Sequence, residues 1–189
     1  MRVSREQAAR NRERVLDTAA RLFRERGFNG VGVADLMQAA GLTHGAFYGQ
    51  FESKEDLMAR ACERGYEELR RRWGEAAARS PDKPLAGVVA SYLSAAHRDN
   101  PGEGCVVAAL GAEAAREGPA LRRVITEGTR AQLDALTGLV PGTTRAAKRE
   151  RAAVTLAAMV GALVLSRGLD DEALSKEILR SVREAVSRD

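Results

Sequence analysis

Two short apolar stretches with a three-residue break between them constrain this chain most. Val33–Ala40 carries Leu36, Met37 and Ala40 at helical spacing, Gly41 interrupts it, and His44–Gln50 resumes the pattern. Gly41 supplies a tight turn and Thr43 a helix cap, so the segment is predicted to be a helix-turn-helix. Phe47, Tyr48 and Phe51 crowd into five positions there, in a chain with only 4% aromatic residues.

Direction divides these rings. Phe47 and Phe51 are four residues apart and share one face, which can pack on Phe23 and Leu36. His44 and Tyr48 are also four apart, on a neighbouring face turned outward. In a helix-turn-helix the second helix enters the major groove of DNA with its first residues at the bases. Thr43 and His44 stand there, and the small residues Gly45, Ala46 and Gly49 would let the backbone approach. A hydroxyl such as that of Tyr48 reaches a phosphate oxygen. Lys54, in the first turn of the next helix, adds a cation to free N–H groups and forms a phosphate clamp. Residues 1–14 hold Arg2, Arg5, Arg10, Arg12 and Arg14 against Glu6 and Glu13. Such a basic arm suits phosphates, and Arg5 and Arg12 are its candidate DNA contacts.

Helical spacing runs through the rest, and strand alternation is not found. A first helix spans about Glu6–Arg26 and stops at Gly27. Ser53, with Asp56 three residues on, opens a long fourth helix to about Arg79, ended by Pro81 and Pro84. Further helices are predicted at Leu85–His97, Cys105–Arg116, from Pro119 through Leu136, at Arg145–Arg167 and at Asp171–Val186. "AAVTLAAMVGALVL" (Ala152–Leu165) is apolar nearly all round, and Leu174, Ile178, Val182 and Val186 recur every four residues. Together they suggest a two-fold four-helix bundle, hence a homodimer. The chain therefore divides into a DNA-binding domain, 1–52, and a dimerisation bundle, 53–189, to which the family resemblance given below adds ligand binding. The fold class is all-α, with a three-helix N-terminal unit joined by the long fourth helix to a C-terminal bundle.

A net charge of +4 is modest for a chain of 189 residues with an apolar tail, and counts against a nonspecific DNA-coating protein. Two cysteines make neither a disulfide framework nor a zinc pattern. No carboxylate pair, activated nucleophile or phosphate-cradling glycine loop supports catalysis, so neither an enzyme nor a cofactor is expected. The first residues contain no apolar run of the signal-peptide kind, and the 14-residue apolar stretch is short for a bilayer. A cytoplasmic protein without membrane contact is expected.

"GFNGVGVADLMQAAGLTHGAFYGQFESKEDL" resembles the DNA-binding signature of the tetracycline-repressor family of bacterial transcription regulators, most strongly over residues 10–57. The resemblance implies an all-helical homodimer that binds a pseudopalindromic operator in double-stranded DNA, with an unidentified small-molecule effector inside the C-terminal bundle. It places Thr43, His44 and Gly45 at bases and phosphates, and puts Tyr48 and Lys54 on the family's phosphate-contacting tyrosine and lysine. Three positions depart from the family pattern: Gly32 stands for a capping threonine, Ala46 for a threonine and Gln50 for a histidine. Glycine still caps a helix, only less well.

The implied function is that of a ligand-responsive regulator, most simply a repressor released by its effector. A helical enzyme or small-molecule carrier is the competing class. Among inward-facing residues, Cys62, Tyr66, Trp73 and Tyr92 are candidate pocket lining, although core packing is the commoner role of residues so placed. Cys105 begins a helix after "PGEG", where a thiol's pKa falls and the thiolate is favoured. "GEGCVVAALGAEAARE" resembles a branch of the family in which some members respond to electrophiles or oxidants, so Cys105 is either a sensor or a small buried residue at a helix end.

Overall fold

The structure is a computed structural model that describes residues 5–188. Arg2, in the basic arm, lies outside the described residues. Among the described residues nine α-helices follow one another: α1 (Arg5–Arg26), α2 (Val33–Ala39), α3 (Lys54–Ala78), α4 (Pro84–Tyr92), α5 (Ala95–Asp99), α6 (Val106–Ala114), α7 (Pro119–Leu139), α8 (Arg145–Gly168) and α9 (Glu172–Val186). No strand occurs among the described residues.

The ends of the long helices have local causes. Gly27 takes φ +77 and its N–H reaches Phe23 O at 2.8 Å, closing α1 in the left-handed conformation glycine adopts without strain. Ser53 Oγ accepts from Asp56 N at 3.0 Å and starts α3. The Asp56 carboxylate reaches back to Glu52 N at 3.4 Å, one residue before the position a capping box uses.

The helix expected over Leu85–His97 is in fact two. Tyr92 O accepts from His97 Nδ1 at 2.7 Å, and Ser94 Oγ caps α5 by accepting from His97 N at 3.2 Å. A serine at a helix interior competes with the backbone for hydrogen bonds, and here it takes the cap.

The side chains form two hydrophobic clusters with α3 running through both. The first gathers Phe23, Leu36, Phe47, Phe51 and Leu57 with Val106, Leu110, Leu121 and Val124, so residues on both sides of position 53 share one core. The second joins Leu69, Trp73 and Tyr92 to Leu136, Met159, Leu163 and Leu179. By length and composition α8 could cross a membrane. Its opening turns, however, carry Arg145, Lys148, Arg149, Glu150 and Arg151, and its buried face packs within the second core against α7 and α9. Val154, Val164 and Leu165 on α8 and Leu174 on α9 remain exposed.

Candidate nucleic-acid interface and effector cavity

The turn after α2 is built as its sequence suggests, and the segment that follows it is not. Gly41 sits at φ +68, and Leu42 N bonds Met37 O at 2.8 Å. Thr43 occupies the extended cap position, but its side chain makes no cap hydrogen bond. The α-helix expected over His44–Gln50 is a 3-10 turn, His44–Ala46, followed by hydrogen-bonded turns. Ala46 N bonds Thr43 O and Phe47 N bonds His44 O, both three residues back, and only Phe51 N reaches four back, to Phe47 O. Gly45 and Gly49 each cost about 1 kcal/mol relative to alanine in an α-helix, which a segment of this length cannot recover.

This turn hangs from the core by its rings. Phe47 and Phe51 are buried and stack at 5.6 Å between centroids. Tyr48 is 71% exposed, with its ring edge-on to Phe47 and to His44. Thr43, His44, Gly45 and Gly49 are exposed too, whereas Ala46 is half-buried against the first core, not on the outer face where it was expected. Neither Gly45 nor Gly49 has a positive φ. A Cβ at Gly45 would touch nothing within 4 Å, and one at Gly49 would meet only Ala46 O at 3.9 Å. Nothing among the described residues therefore requires glycine at either position.

The basic residues divide between tasks. Arg5 is exposed at the start of α1. Arg12 is half-buried: its guanidinium donates to Gln50 O and lies 4.6 Å from the centre of the Phe51 ring. It fastens the 44–51 turn to α1, a structural role the sequence reading did not give it. Lys54 Nζ donates to Phe28 O at 2.7 Å, so this half-buried cation is tied to the loop after α1 and is not free at the helix start.

The C-terminal half is joined to α1 and the loop after it through groups the sequence did not mark. Arg24, 5% exposed, donates from Nε to Gly102 O and from Nη2 to Glu68, both at 2.8 Å. One α1 side chain thus joins α3 and the 100–104 loop. Glu113 on α6 accepts the N–H of Phe28 at 2.8 Å. Arg72 holds Glu103 O from α3, and Arg167 on α8 donates to His97 O and Arg98 O.

Of the five residues expected in an effector pocket, Tyr66 and Trp73 line one cavity of about 330 Å³ between α3 and α7, together with Leu69, Gly128, Gln132 and Leu139. The Tyr66 hydroxyl donates to Ile125 O at 3.2 Å, and burial raises its pKa. Tyr92 lines a neighbouring, more polar cavity of about 200 Å³ with Trp73, His97 and Arg72. Burial raises the Tyr92 hydroxyl's pKa as well.

Cys62 lines neither of these cavities. It is a core residue whose thiol burial pushes up to about 12. Cys105 caps α6 as its sequence position implies, yet it is 0% exposed. Its backbone N–H donates to His97 Nε2 at 3.0 Å, and Gln132 Nε2 faces its sulfur at 3.9 Å. His97, its two ring nitrogens engaged by Tyr92 O and Cys105 N, is neutral with the proton on Nδ1. Burial lowers its pKa to about 4.

Gln132 was missed from the sequence. The available signal was one amide in the register of Leu121, Val124, Gly128 and Leu136, an otherwise apolar stripe. No group of histidine, cysteine and acidic residues that could hold a metal occurs among the described residues.

Residues 15–61 match the family model described as bacterial regulatory proteins, tetR family. The chain is similar to the HTH-type transcriptional regulator AcrR of Shigella flexneri, 32% identical over 45% of this chain and 40% of that protein. It is similar also to the HTH-type transcriptional repressor KstR2 of Rhodococcus jostii, 45% identical over 25% of this chain and 23% of that protein. These matches thus span less than half the length of the relatives. Solved structures extend the likeness along the chain. SCO4454, a TetR-family transcriptional regulator from Streptomyces coelicolor, superposes with a TM-score of 0.74 at 25% identity over 95% of this chain and 97% of that one. The reduced form of NemR from E. coli shares the fold at 24% identity with a TM-score of 0.77, over 93% of this chain and 94% of that one.

Proposed function

We propose that this chain, which belongs through residues 15–61 to the tetR family of bacterial regulatory proteins, is a sequence-specific DNA-binding transcriptional regulator that responds to a small molecule, in the simplest case a repressor released by it. The observation that carries this reading is the outward face of the recognition turn. Thr43, His44, Gly45, Tyr48 and Gly49 are exposed together, and no contact or backbone angle among the described residues calls for the two glycines. A surface that must let a duplex approach accounts for all five. His44 and Thr43 would read base edges, and Tyr48 would bond a phosphate. Lys54 has two further N–H donors for a phosphate beside its bond to Phe28 O.

The working unit would be a cytoplasmic homodimer, with residues 1–52 as the DNA-binding domain and 53–189 as the effector-binding and dimerisation domain. Exposed Val154, Val164, Leu165 and Leu174 on α8 and α9 support a two-fold interface there. Two recognition turns would then lie about one DNA turn apart, ~34 Å, on a pseudopalindromic operator. An effector in the cavity between α3 and α7 would shift that separation, since α3 runs from the cavity to the recognition turn and Arg24 ties α1 to it. Coupling of roughly 1–3 kcal/mol is usual for such linkage.

The test is selection of fragments bound by the purified protein from genomic DNA, followed by titration of the selected site against random duplex. Tyr48→Phe should weaken both about equally, and His44→Ala should narrow the gap between them. Equal affinity of the wild type for both duplexes would refute sequence-specific recognition.

A further inference from the structure

The cavity between α3 and α7 carries information about the chemistry of its occupant. Its walls are apolar: Leu69 and Trp73 on one side, Leu139 and the alanines of α7 on the other. The charged residues at its edge, Glu67 and Arg70, are exposed and stand at the rim. Three side chains with polar atoms stand among the walls: Tyr66, whose hydroxyl is bonded to Ile125 O, Trp73 and Gln132. Gln132 is 7% exposed, and its Oε1 is buried with no hydrogen-bond partner among the described residues. Its other amide atom, Nε2, faces the Cys105 sulfur. A buried acceptor without a partner carries a desolvation penalty that a bound donor removes. The Nε1 of Trp73, which lines both this cavity and its neighbour, is also buried without a partner among the described residues.

We infer that the occupant is an uncharged, largely apolar small molecule bearing one hydrogen-bond donor, a hydroxyl or N–H, that Gln132 Oε1 receives once its covered amide turns toward the cavity. A volume of about 330 Å³ lies at the small end of the roughly 300–1,000 Å³ of ligand pockets and suits a one- or two-ring molecule. Formal charge is disfavoured, because no opposite charge lines the interior and desolvating an ion without a partner is costly. Gln132 is then a specificity-determining residue. Gly128 is part of the same construction: a Cβ there would overlap the Tyr66 ring, so glycine lets the phenol lie flat against α7 while its hydroxyl bonds Ile125 O. This inference rests on the effector reading above and adds to it the class of molecule.

Three naphthalene probes test it by titration calorimetry without DNA: 1-naphthol, a neutral donor and acceptor; 1-methoxynaphthalene, an acceptor only; and 1-naphthoate, an anion. The expected order is 1-naphthol ahead of 1-methoxynaphthalene by roughly tenfold, the worth of one hydrogen bond to a buried amide, with 1-naphthoate weakest. Gln132→Leu should bring the two neutral probes to equal affinity. Preference of the wild type for 1-naphthoate, or equal binding of the two neutral probes, overturns the inference without need of the variant. Self-association that covers the groove and blocks all three probes, seen by light scattering, would assign it to a second copy and overturns it too. Repeating the titration on protein bound to its selected DNA keeps the two readings apart. Release by an anionic compound would sink the ligand class and leave the regulator standing. Tight 1-naphthol binding in a protein with no DNA preference would do the reverse.

Discussion

Replacing Gly65 by alanine in α3 ordinarily favours a helix, by about 1 kcal/mol. Here the sign should reverse. A Cβ at Gly65 would overlap Arg24 Nη1 and lie 2.7 Å from Val106 Cγ2. Overpacking of a close-packed site costs about 1–3 kcal/mol, and a displaced Arg24 also loses its bonds to Gly102 O and Glu68. The Arg24 side chain is 3% exposed and that of Glu68 29%, so only the carboxylate regains water when the pair breaks. Breaking a buried pair costs about 3–5 kcal/mol, and rehydration of Glu68 puts Arg24→Met at the low end, about 3 kcal/mol. Gly65→Ala should cost about 2 kcal/mol net. In the double variant the guanidinium is gone, and only the Val106 contact opposes the new methyl. The second substitution should then cost less than about 1 kcal/mol, a non-additivity diagnostic of a shared partner. Urea unfolding followed by the fluorescence of Trp73, the single tryptophan, measures all four proteins. Stabilisation by Gly65→Ala, or costs that simply add in the double variant, would refute the assignment of Arg24 as the clamp between α1 and α3.

Other outcomes follow from single groups. Because His97 has a folded pKa of about 4 against an ordinary 6.5, the unfolded chain takes up its proton first; stability should fall as pH drops from about 6.5 to 4, by about 3 kcal/mol at most. Urea midpoints for wild type and His97→Gln across that window check this, and parallel profiles would refute it. Leu165, 57% exposed on α8, can be changed to glutamate without a folding cost, so Leu165→Glu should give a monomer by light scattering with an unchanged circular dichroism spectrum; a dimer would move the interface elsewhere. Cys62 and Cys105 are 2% and 0% exposed and should resist iodoacetamide until urea opens the fold; rapid native alkylation of Cys105 would restore it as a chemical sensor.

Much of this architecture was legible because its causes are local. Leu22 and Phe23 close the stripe that α1 buries, Gly27 ends that helix, and Ser53 starts α3; each signal lies within a turn of the feature it controls. The break between α4 and α5 was not legible. It depends on a side chain, His97, folding back onto a carbonyl five residues earlier, which periodicity does not encode. The same holds for Arg24, whose acceptor Gly102 is 78 residues away. From sequence it is one arginine among many on a charged helix.

The cations of the recognition unit show why site assignment is harder than fold assignment. A guanidinium or ammonium group is drawn to oxygen, and a main-chain carbonyl offers much the same partner as a phosphate. Arg12 and Lys54 therefore sit where a DNA-binding arm and a phosphate clamp would place them, while their observed partners are Gln50 O and Phe28 O. What separates the two roles is exposure and spare donors. Arg12 has its planar face occupied by the Phe51 ring and one edge by a carbonyl, so it mainly fixes the height and tilt of the turn. Lys54 spends one of three donors and stands beside Ser53 at the start of α3, where unbonded N–H groups add to the attraction for an anion. Tyr48, 71% exposed and with no comparable task inside the chain, is the member of the set whose presence the fold does not explain, and so the one that speaks most directly for a partner outside it.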